Sequence, residues 1–318
     1  MIKFFSGNQS IVLILIPLFV IVHLLLDVYF PIVDYTNFEQ ENLWGINFYA
    51  IPPVLTKILA FILVSLNAIL INFVFNSLEF YDRNTFLPSI IYVLIVSLFP
   101  SSIYFSEDLI GHFFFILTFF QILNIQQNDD ARSLGFFSGL LLGIAFTFIP
   151  LYGAFLLVAL IVLFSIRPFM IREHLLVYFG FSIPVVWLFF VNSNWINQLF
   201  EFNGTKDFFD LNDYIMIALG VALLSLILMG IRGMLSRSKK SSVKFKRLVR
   251  VSTFSFFYFF TAGIFLSIFH HTFSYFIVGS IVLPFIIPYA FLNLKHSWVS
   301  NFFFYLLVAV NVIKFFFI

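Results

Sequence analysis

Ionisable side chains inside apolar segments are the first candidates for chemistry, because a charge at the centre of a bilayer costs about 2.5 to 3.5 kcal/mol on insertion scales. Asp27 follows His23 by four residues near the end of the apolar segment 11–30. Both side chains therefore lie on one helical face and can form a hydrogen-bonded pair. Two interpretations stay open: an interfacial pair near water, or an acid at the mouth of a cavity that serves as a general base or proton relay.

Acids in two polar loops form a second set of candidates. The catalytic candidates are Asp34, Glu39 and Glu41 before the second apolar segment, and Glu107, Asp108 and His112 at the start of the fourth. Carboxylates that converge on a cavity can bind a divalent cation or deprotonate a hydroxyl. The alternative is that these loops are acidic because water solvates them, and that His112 is a buried histidine with its hydrogen bonds satisfied.

A basic cluster without any acid separates the eighth and ninth apolar segments. It consists of Arg232, Arg237, Lys239, Lys240, Lys244, Lys246, Arg247 and Arg250. The favoured interpretation is a loop that fixes the orientation of its flanking spans. The alternative is binding of anionic lipid headgroups or pyrophosphate, at about 1 kcal/mol per residue near a charged surface. Nucleic acid is not an expected partner, because the cluster does not belong to a nucleic-acid-binding fold.

The sequence lacks the residues or motifs that several common chemistries require. The chain has no cysteine, which excludes disulfides, thiolate metal sites and cysteine nucleophiles. His270 and His271 are adjacent, so on a helix they point about 100° apart, and we expect no metal site there. No phosphate-binding glycine loop, nucleophile elbow or dinucleotide motif is present, so the sequence leaves any cofactor unknown.

The elements that carry these residues are predicted from composition. Of 318 residues 62% are hydrophobic and 10% charged, against roughly 25% charged in soluble domains. The sequence therefore predicts an all-α, polytopic transmembrane bundle without a soluble domain, in which the 51 phenylalanines serve as packing and lipid-facing material. The single domain 1–318 is expected to contain about eleven spans, at 11–30, 55–74, 87–99, 107–123, 134–148, 151–164, 175–190, 214–231, 251–269, 275–292 and 299–317.

Proline and serine residues predict where several helices begin, turn or break. Ser106, followed by two acids, is typical of a helix start, because its side chain can cap the helix and the acids complement the positive end of the dipole. Pro150 marks a tight hairpin between the fifth and sixth spans. Pro284 and Pro288 lie one turn apart and each remove a ladder hydrogen bond, which predicts a kinked or broken tenth span.

The distribution of basic residues predicts the orientation. Alternating loops from a cytoplasmic amino terminus place about fourteen of the 17 lysines and arginines inside. Lys57, Lys206 and Lys314 fall outside. This positive-inside bias predicts an inner-membrane protein with its amino terminus in the cytoplasm and its carboxy terminus outside.

Two resemblances add expectations. The stretch from Asp82 to Gln127, which contains FSEDLIGHFFF, and the following stretch that begins SLGFFSGLLLG resemble a family of polytopic inner-membrane proteins of Bacteroidetes-type bacteria that has no assigned activity. A weaker similarity is to the C-type superfamily of membrane glycosyltransferases, which use polyprenyl-phosphate sugars and place a catalytic acid in the first outer loop. Asp34, Glu39 and Glu41 stand there, but the loop is short and no outer carbohydrate-binding domain follows.

The leading functional hypothesis is a cell-envelope protein that handles lipid-linked precursors, as a reduced glycosyltransferase of that superfamily. The first alternative is a non-catalytic subunit of an envelope-biogenesis or protein-export complex, and the second is a transporter. The expected partners are membrane lipids, together with a polyprenyl-phosphate-linked substrate or other membrane-protein subunits.

Overall fold

The computed structural model describes residues 5–7, 12–31, 43, 44, 46, 48–99, 102–125, 130–166, 170–192, 195, 196, 213–270, 275–292 and 297–316. Within these ranges the chain is helical and no residue lies in a β-strand, which confirms the all-α prediction for this part. The helices are α1 (Val12–Tyr29), α2 (Pro53–Ser77), α3 (Leu87–Val96), α4 (Glu107–Asn124), α5 (Arg132–Phe148), α6 (Leu151–Ile166), α7 (Ile171–Val191), α8 (Asp213–Ser238), α9 (Val243–His270), α10 (Phe276–Gly279), α11 (Leu283–Ile286), α12 (Tyr289–Leu292) and α13 (Ser297–Ile313).

Five helices are long and apolar enough to cross a membrane. They are α1, α2, α7, residues Ala218–Ser238 of α8 and residues Val243–Ile268 of α9, with lengths from 18 to 26 residues. A helix of about 20 residues spans the hydrocarbon core and satisfies its own backbone hydrogen bonds there. These helices indicate a membrane protein, whereas the full count of about eleven spans stays a prediction.

Helix α3 is short and lies inside the bundle. Its ten residues, Leu87–Val96, are all buried. At 1.5 Å per residue it is about 15 Å long, roughly half the thickness of a bilayer core. It therefore ends within the protein, and other side chains must satisfy its last carbonyl groups.

The segment 275–292 is broken into the three single-turn helices α10, α11 and α12. Pro284 lies in the first turn of α11 and Pro288 immediately precedes α12, which confirms the break predicted from these two prolines. Most of the segment is buried, and α11 packs on α3. The Tyr289 hydroxyl donates a hydrogen bond to the carbonyl of Phe80, which ties the segment to the loop after α2.

Helices α5 and α7 run parallel and touch through their backbones. Gly139 faces the Val177 backbone and Gly143 faces that of Phe181, while Gly180 of α7 faces that of Phe136. Small residues four apart let two membrane helices approach this closely. The hairpin predicted at Pro150 is present, since α5 ends at Phe148 and α6 begins two residues after Ile149.

Phenylalanine fills the core as well as the outer surface. The ring centroid of Phe115 lies 4.5 Å from that of Tyr152 and 4.8 Å from that of Phe155. Phe155 in turn stacks on Phe259 of α9, at 5.4 Å. Phe265 on the same helix is exposed. The aromatic residues thus join α4, α6 and α9 and also cover part of the bundle's exterior, as the sequence predicts.

The bundle has two distinct ends. At the first, which we call the network end, the last turn of α1 contacts the first turn of α2 through Asp27 and Lys57. At the second, the basic end, the Thr85 hydroxyl donates to the carbonyl of Phe5, and Lys244 pairs with Glu79. The antiparallel course of α1 and α2 places these two groups of contacts on opposite sides of the bundle.

Candidate functional site

An ion pair is buried at the network end. Asp27 lies in the last turn of α1 and its side chain is 0% exposed, while Lys57, one turn after the start of α2, is 20% exposed. The Lys57 Nζ atom lies 2.7 Å from Oδ2 of Asp27. The Tyr104 hydroxyl donates to the same oxygen at 3.4 Å, and the Lys57 ammonium lies 5.4 Å from the Tyr104 ring centroid. Oδ2 of Asp27 therefore accepts contacts from Lys57 and Tyr104, which lie in two other parts of the chain.

A second lysine is buried beside this pair. Lys314 follows α13 and is 0% exposed. Its ammonium donates to the carbonyl of Ser97 and lies 3.3 Å from Nε2 of His23. Nζ of Lys314 can donate a second hydrogen bond to Nε2 of His23 when that ring nitrogen carries no proton. The first and last helices of this sequence are thus joined by a polar contact.

The carboxyl end of α3 meets these groups. Asn311 of α13 donates through Nδ2 to the carbonyl of Leu94 at 3.0 Å, and Lys314 binds the carbonyl of Ser97, the residue after α3. These carbonyl groups carry the partial negative charge of the helix dipole, which a lysine complements. Side chains of α13 therefore provide the partners that a helix ending inside the bundle requires.

We call His23, Asp27, Lys57, Tyr104 and Lys314 the buried ion network. The network contains two lysines and one aspartate, so its basic groups outnumber its acidic ones. Buried charges are retained when they are paired and hydrogen-bonded, and an uncompensated one is costly. Lys57 is the member that reaches the surface, so it is the group an incoming anion would meet first.

The network corrects the interpretation of the His23 and Asp27 spacing as an interfacial pair near water, and it also bears on the second interpretation, an acid that serves as a base. The two residues do share the buried face of α1, as predicted. They do not lie near water, however, because His23 is 5% and Asp27 0% exposed. Each also finds a partner on another helix. Asp27 is a poor general base in this arrangement, since Lys57 and Tyr104 already occupy its Oδ2 atom.

The predicted acids of α4 lie close to a second polar group. Ser106 is the N-cap of α4, which confirms the predicted start, although its side chain makes no capping hydrogen bond. Glu107 and Asp108 are half-buried in the first turn. Asp108 is close enough to Tyr92 and Tyr152 to interact with them electrostatically. The structure thus places Asp108 beside buried tyrosines.

His112 lies one turn after Asp108. We call His112, Asn67, Tyr92 and Tyr152 the His112 cluster. The Nδ1 atom of His112 lies 3.0 Å from the Tyr92 hydroxyl, and Nδ2 of Asn67 donates to the carbonyl of Leu109 at 3.0 Å. Nε2 of His112 faces the Ile277 backbone without a hydrogen bond of ordinary geometry. Oδ1 of Asn67 and the Tyr152 hydroxyl also lack partners among the described residues. His112 is therefore buried, as the alternative interpretation predicts, but only one of its two ring nitrogens has a hydrogen-bond partner among the described residues.

The three acids of the first loop, Asp34, Glu39 and Glu41, lie outside the described residues. The part of that loop which the structure does describe packs against the ends of α5 and α7. Nδ2 of Asn192 donates to the carbonyl of Leu43 at 2.9 Å, and the Trp44 ring lies 6.3 Å from that of Phe148. The carboxyl ends of α5 and α7 therefore belong to the network end.

The basic cluster lies at the opposite end of the bundle. Arg237 lies 2.5 Å from Asp82, and Lys244 lies 2.9 Å from Glu79. The Arg237 guanidinium also lies 4.4 Å from the Tyr81 ring centroid. Arg232, Lys239, Lys240, Lys246 and Arg250 are exposed, and Arg247 is half-buried. Two members are thus engaged by the loop after α2, and the others leave a cationic surface.

Sequence reasoning missed most of the buried ion network. Lys57 and Lys314 entered only as charges of the outer loops, and Tyr104 and Asn311 were not considered. A signal did exist for Lys314, since it is a lone charge within the apolar stretch 299–318. The same criterion that selected Asp27 would have selected it.

Comparisons with known proteins assign no family. No family model, no curated protein and no solved structure matches this chain. Its class rests on its own helices, five of which are long and apolar enough to cross a membrane.

Proposed function

We propose that this chain is a multi-pass protein of the bacterial inner membrane, with about eleven spans, a cytoplasmic amino terminus and a periplasmic carboxy terminus. The contacts of the described residues support this orientation. Phe5 and the basic cluster share one end of the bundle, which suits the side where basic residues are retained. The network end, which contains the last turn of α1 and the turn after α13, would then face the periplasm.

Absence of cysteine from the chain allows a direct test of this topology. Ser242→Cys lies in the exposed turn between α8 and α9, and Thr205→Cys lies in the predicted outer loop. A membrane-impermeant maleimide added to intact spheroplasts should label Thr205→Cys alone, whereas Ser242→Cys should react only after permeabilisation. Labelling of Ser242→Cys in intact spheroplasts would contradict the orientation.

We further propose that the protein handles lipid-linked envelope precursors at its network end. The observation that carries this proposal is the presence of two lysines beside one aspartate in the buried ion network, with Lys57 as its surface member. A lipid-linked precursor carries a phosphate or pyrophosphate at the membrane edge. Lys57 would contact that anion, Lys314 would support it electrostatically, and Asp27 and Tyr104 would orient the Lys57 ammonium.

The chemistry that fits this site is glycosyl transfer of the kind used by the C-type superfamily. An acceptor hydroxyl would attack the anomeric carbon of the sugar while the bond to the lipid phosphate breaks. The lipid phosphate would leave with the electron pair next to Lys57, and a carboxylate would take the hydroxyl proton. The candidate bases are the acids Asp34, Glu39 and Glu41 of the first loop, because Asp27 is already occupied by Lys57 and Tyr104.

Complementation of a deletion strain tests this proposal. We expect the deletion to alter the pool of lipid-linked precursors or the envelope glycans, measured by mass spectrometry of extracted lipids and glycans. At matched protein levels, Lys57→Met should fail to restore the profile, while Lys239→Met, an exposed lysine at the basic end, should restore it. Unchanged precursors and glycans in the deletion strain would refute the proposal. Copurification of another membrane protein at fixed stoichiometry would instead favour the subunit alternative.

The broken segment 275–292 favours transport as a second candidate function. Discontinuous helices near the membrane midplane form substrate sites in many transporters, and here α11 packs on the short helix α3. Uptake into proteoliposomes of anionic solutes, driven by a proton gradient, would test it. A transporter should lose uptake when Pro284 and Pro288 are both replaced by leucine, since the segment could then form a continuous helix.

A further inference from the structure

A groove opens on the outer surface along the first three turns of α7, next to the start of α5 and far from the buried ion network. Its volume is about 830 Å³. The residues that line it include Arg132, Arg172, Leu175, Tyr178, Phe179 and Ser182. Two arginines thus stand at one end of a groove whose remaining wall is mainly apolar.

The two arginines are neighbours because of the glycine contacts between their helices. Arg132 lies one turn before Gly135, and Gly135 faces the carbonyl of Glu173, the residue after Arg172. Both arginines are exposed, and no ion pair of Arg172 is found among the described residues. Arg132 lies 3.6 Å from Asp130, and both of these side chains are more than half exposed. Such a pair is worth little, so it leaves Arg132 free to exchange partners.

The apolar wall belongs to a helix long and apolar enough to cross a membrane. Leu175 is 60% and Phe179 62% exposed, one turn apart on α7. Only 22% of the α7 window is buried, so most of this helix would face lipid. An exposed stripe of large apolar residues beside two exposed cations matches a molecule that has an anionic head and an acyl chain.

We infer that this groove binds an anionic phospholipid. The phosphate lies between Arg132 and Arg172, whose guanidinium groups suit bidentate contact with phosphate oxygens, and one acyl chain follows Leu175 and Phe179 along α7. The amino-terminal ends of α5 and α7 add partial positive charge next to the phosphate. The inference is independent of the proposed function, because the carboxyl ends of α5 and α7 pack at the network end and the groove is at the opposite one.

Native mass spectrometry of the full chain, released from nanodiscs, tests the inference. Nanodiscs contain phosphatidylglycerol and phosphatidylcholine in equal amounts. We expect the wild type to retain phosphatidylglycerol selectively. Each arginine near a charged lipid is worth about 1 kcal/mol, or about 5-fold, so Arg132→Gln with Arg172→Gln should reduce that selectivity about 25-fold. Arg132→Lys with Arg172→Lys should restore part of it, because the charge returns without the bidentate geometry.

The matched control is Arg250→Gln, an exposed arginine at the basic end outside the groove, which should keep the wild-type selectivity. Phe179→Ala should shorten lipid retention while the preference for phosphatidylglycerol persists. Equal retention of both lipids by the wild type, or equal loss in Arg250→Gln and the double glutamine variant, would overturn the inference. Displacement of the lipid by inorganic phosphate alone would also overturn it, since it would show a site for free anions.

Discussion

The parallel contact between α5 and α7 predicts that Gly139→Ala destabilises the protein. An alanine Cβ at this position would lie 2.0 Å from the carbonyl oxygen of Val177 and 2.8 Å from its carbon. It would be about 1.4 Å short of the 3.4 Å at which ordinary contact begins. The obstacle is backbone, which cannot rotate away as a side chain can. Gly143 contacts the backbone of α7 one turn later in the same manner. To make room for an alanine at position 139, α5 and α7 would therefore have to move apart at both contacts.

The magnitude follows from two opposing terms. Overpacking of this kind costs about 1–3 kcal/mol. Alanine also gains up to about 1 kcal/mol over glycine in helix propensity. We expect a net loss of about 1–2 kcal/mol in the free energy of unfolding. Gly220→Ala is the matched control, because a Cβ there meets nothing within 4 Å and only the propensity term applies.

Thermal unfolding in mild detergent, followed by tryptophan fluorescence at one fixed scan rate, measures this difference. The fixed rate matters because unfolding of such proteins is often irreversible. Gly139→Ala should lower the Tm by about 2–5 °C, and Gly220→Ala should leave it unchanged or raise it. Equal shifts in the two variants would show that α5 and α7 do not approach as closely as their glycines indicate.

Three further predictions concern the charged contacts. Lys314→Met leaves the carbonyl of Ser97 unsatisfied in the interior, so it should cost about 1–3 kcal/mol and lower the Tm accordingly. In a double-mutant cycle of Asp27→Asn and Lys57→Met, the Tm losses should fall short of additivity by the equivalent of about 1 kcal/mol, and additive losses would contradict the ion pair. Arg237→Gln breaks a contact whose Asp82 side chain is 84% exposed, so its Tm should stay within about 2 °C of the wild type.

Local sequence signals predict much of the helical framework. The start of α4 after Ser106 is marked by the two acids of its first turn, which complement the helix dipole, and the break at Pro284 and Pro288 follows from the hydrogen bonds that proline removes. The shared face of His23 and Asp27 follows from helical periodicity. Each of these features depends on residues within one or two turns, so one segment of sequence contains the needed information.

The partners of the buried charges could not be predicted in this way. Lys314 and His23 are separated by 291 positions, and Asn311 and Leu94 by 217. Such contacts depend on which helices become neighbours, and hydropathy does not determine that. The spacing of Gly135, Gly139 and Gly143 was visible in the sequence, but it did not show which helix they would meet.

The residues of the buried ion network come from several parts of the chain, from α1 to the turn after α13, and their order in the sequence bears on the proposed function. Asp27 on α1 is neutralised by Lys57 on the next helix, so these two spans can insert as a pair with no net charge. Lys314 follows α13 and joins the network only when this region packs against α1 and the end of α3. The capacity to hold an anion at this end would therefore arise from tertiary packing. A variant that keeps Asp27 and Lys57 but loses Lys314 should retain the first ion pair and lose the positive potential on which the proposed phosphate contact depends.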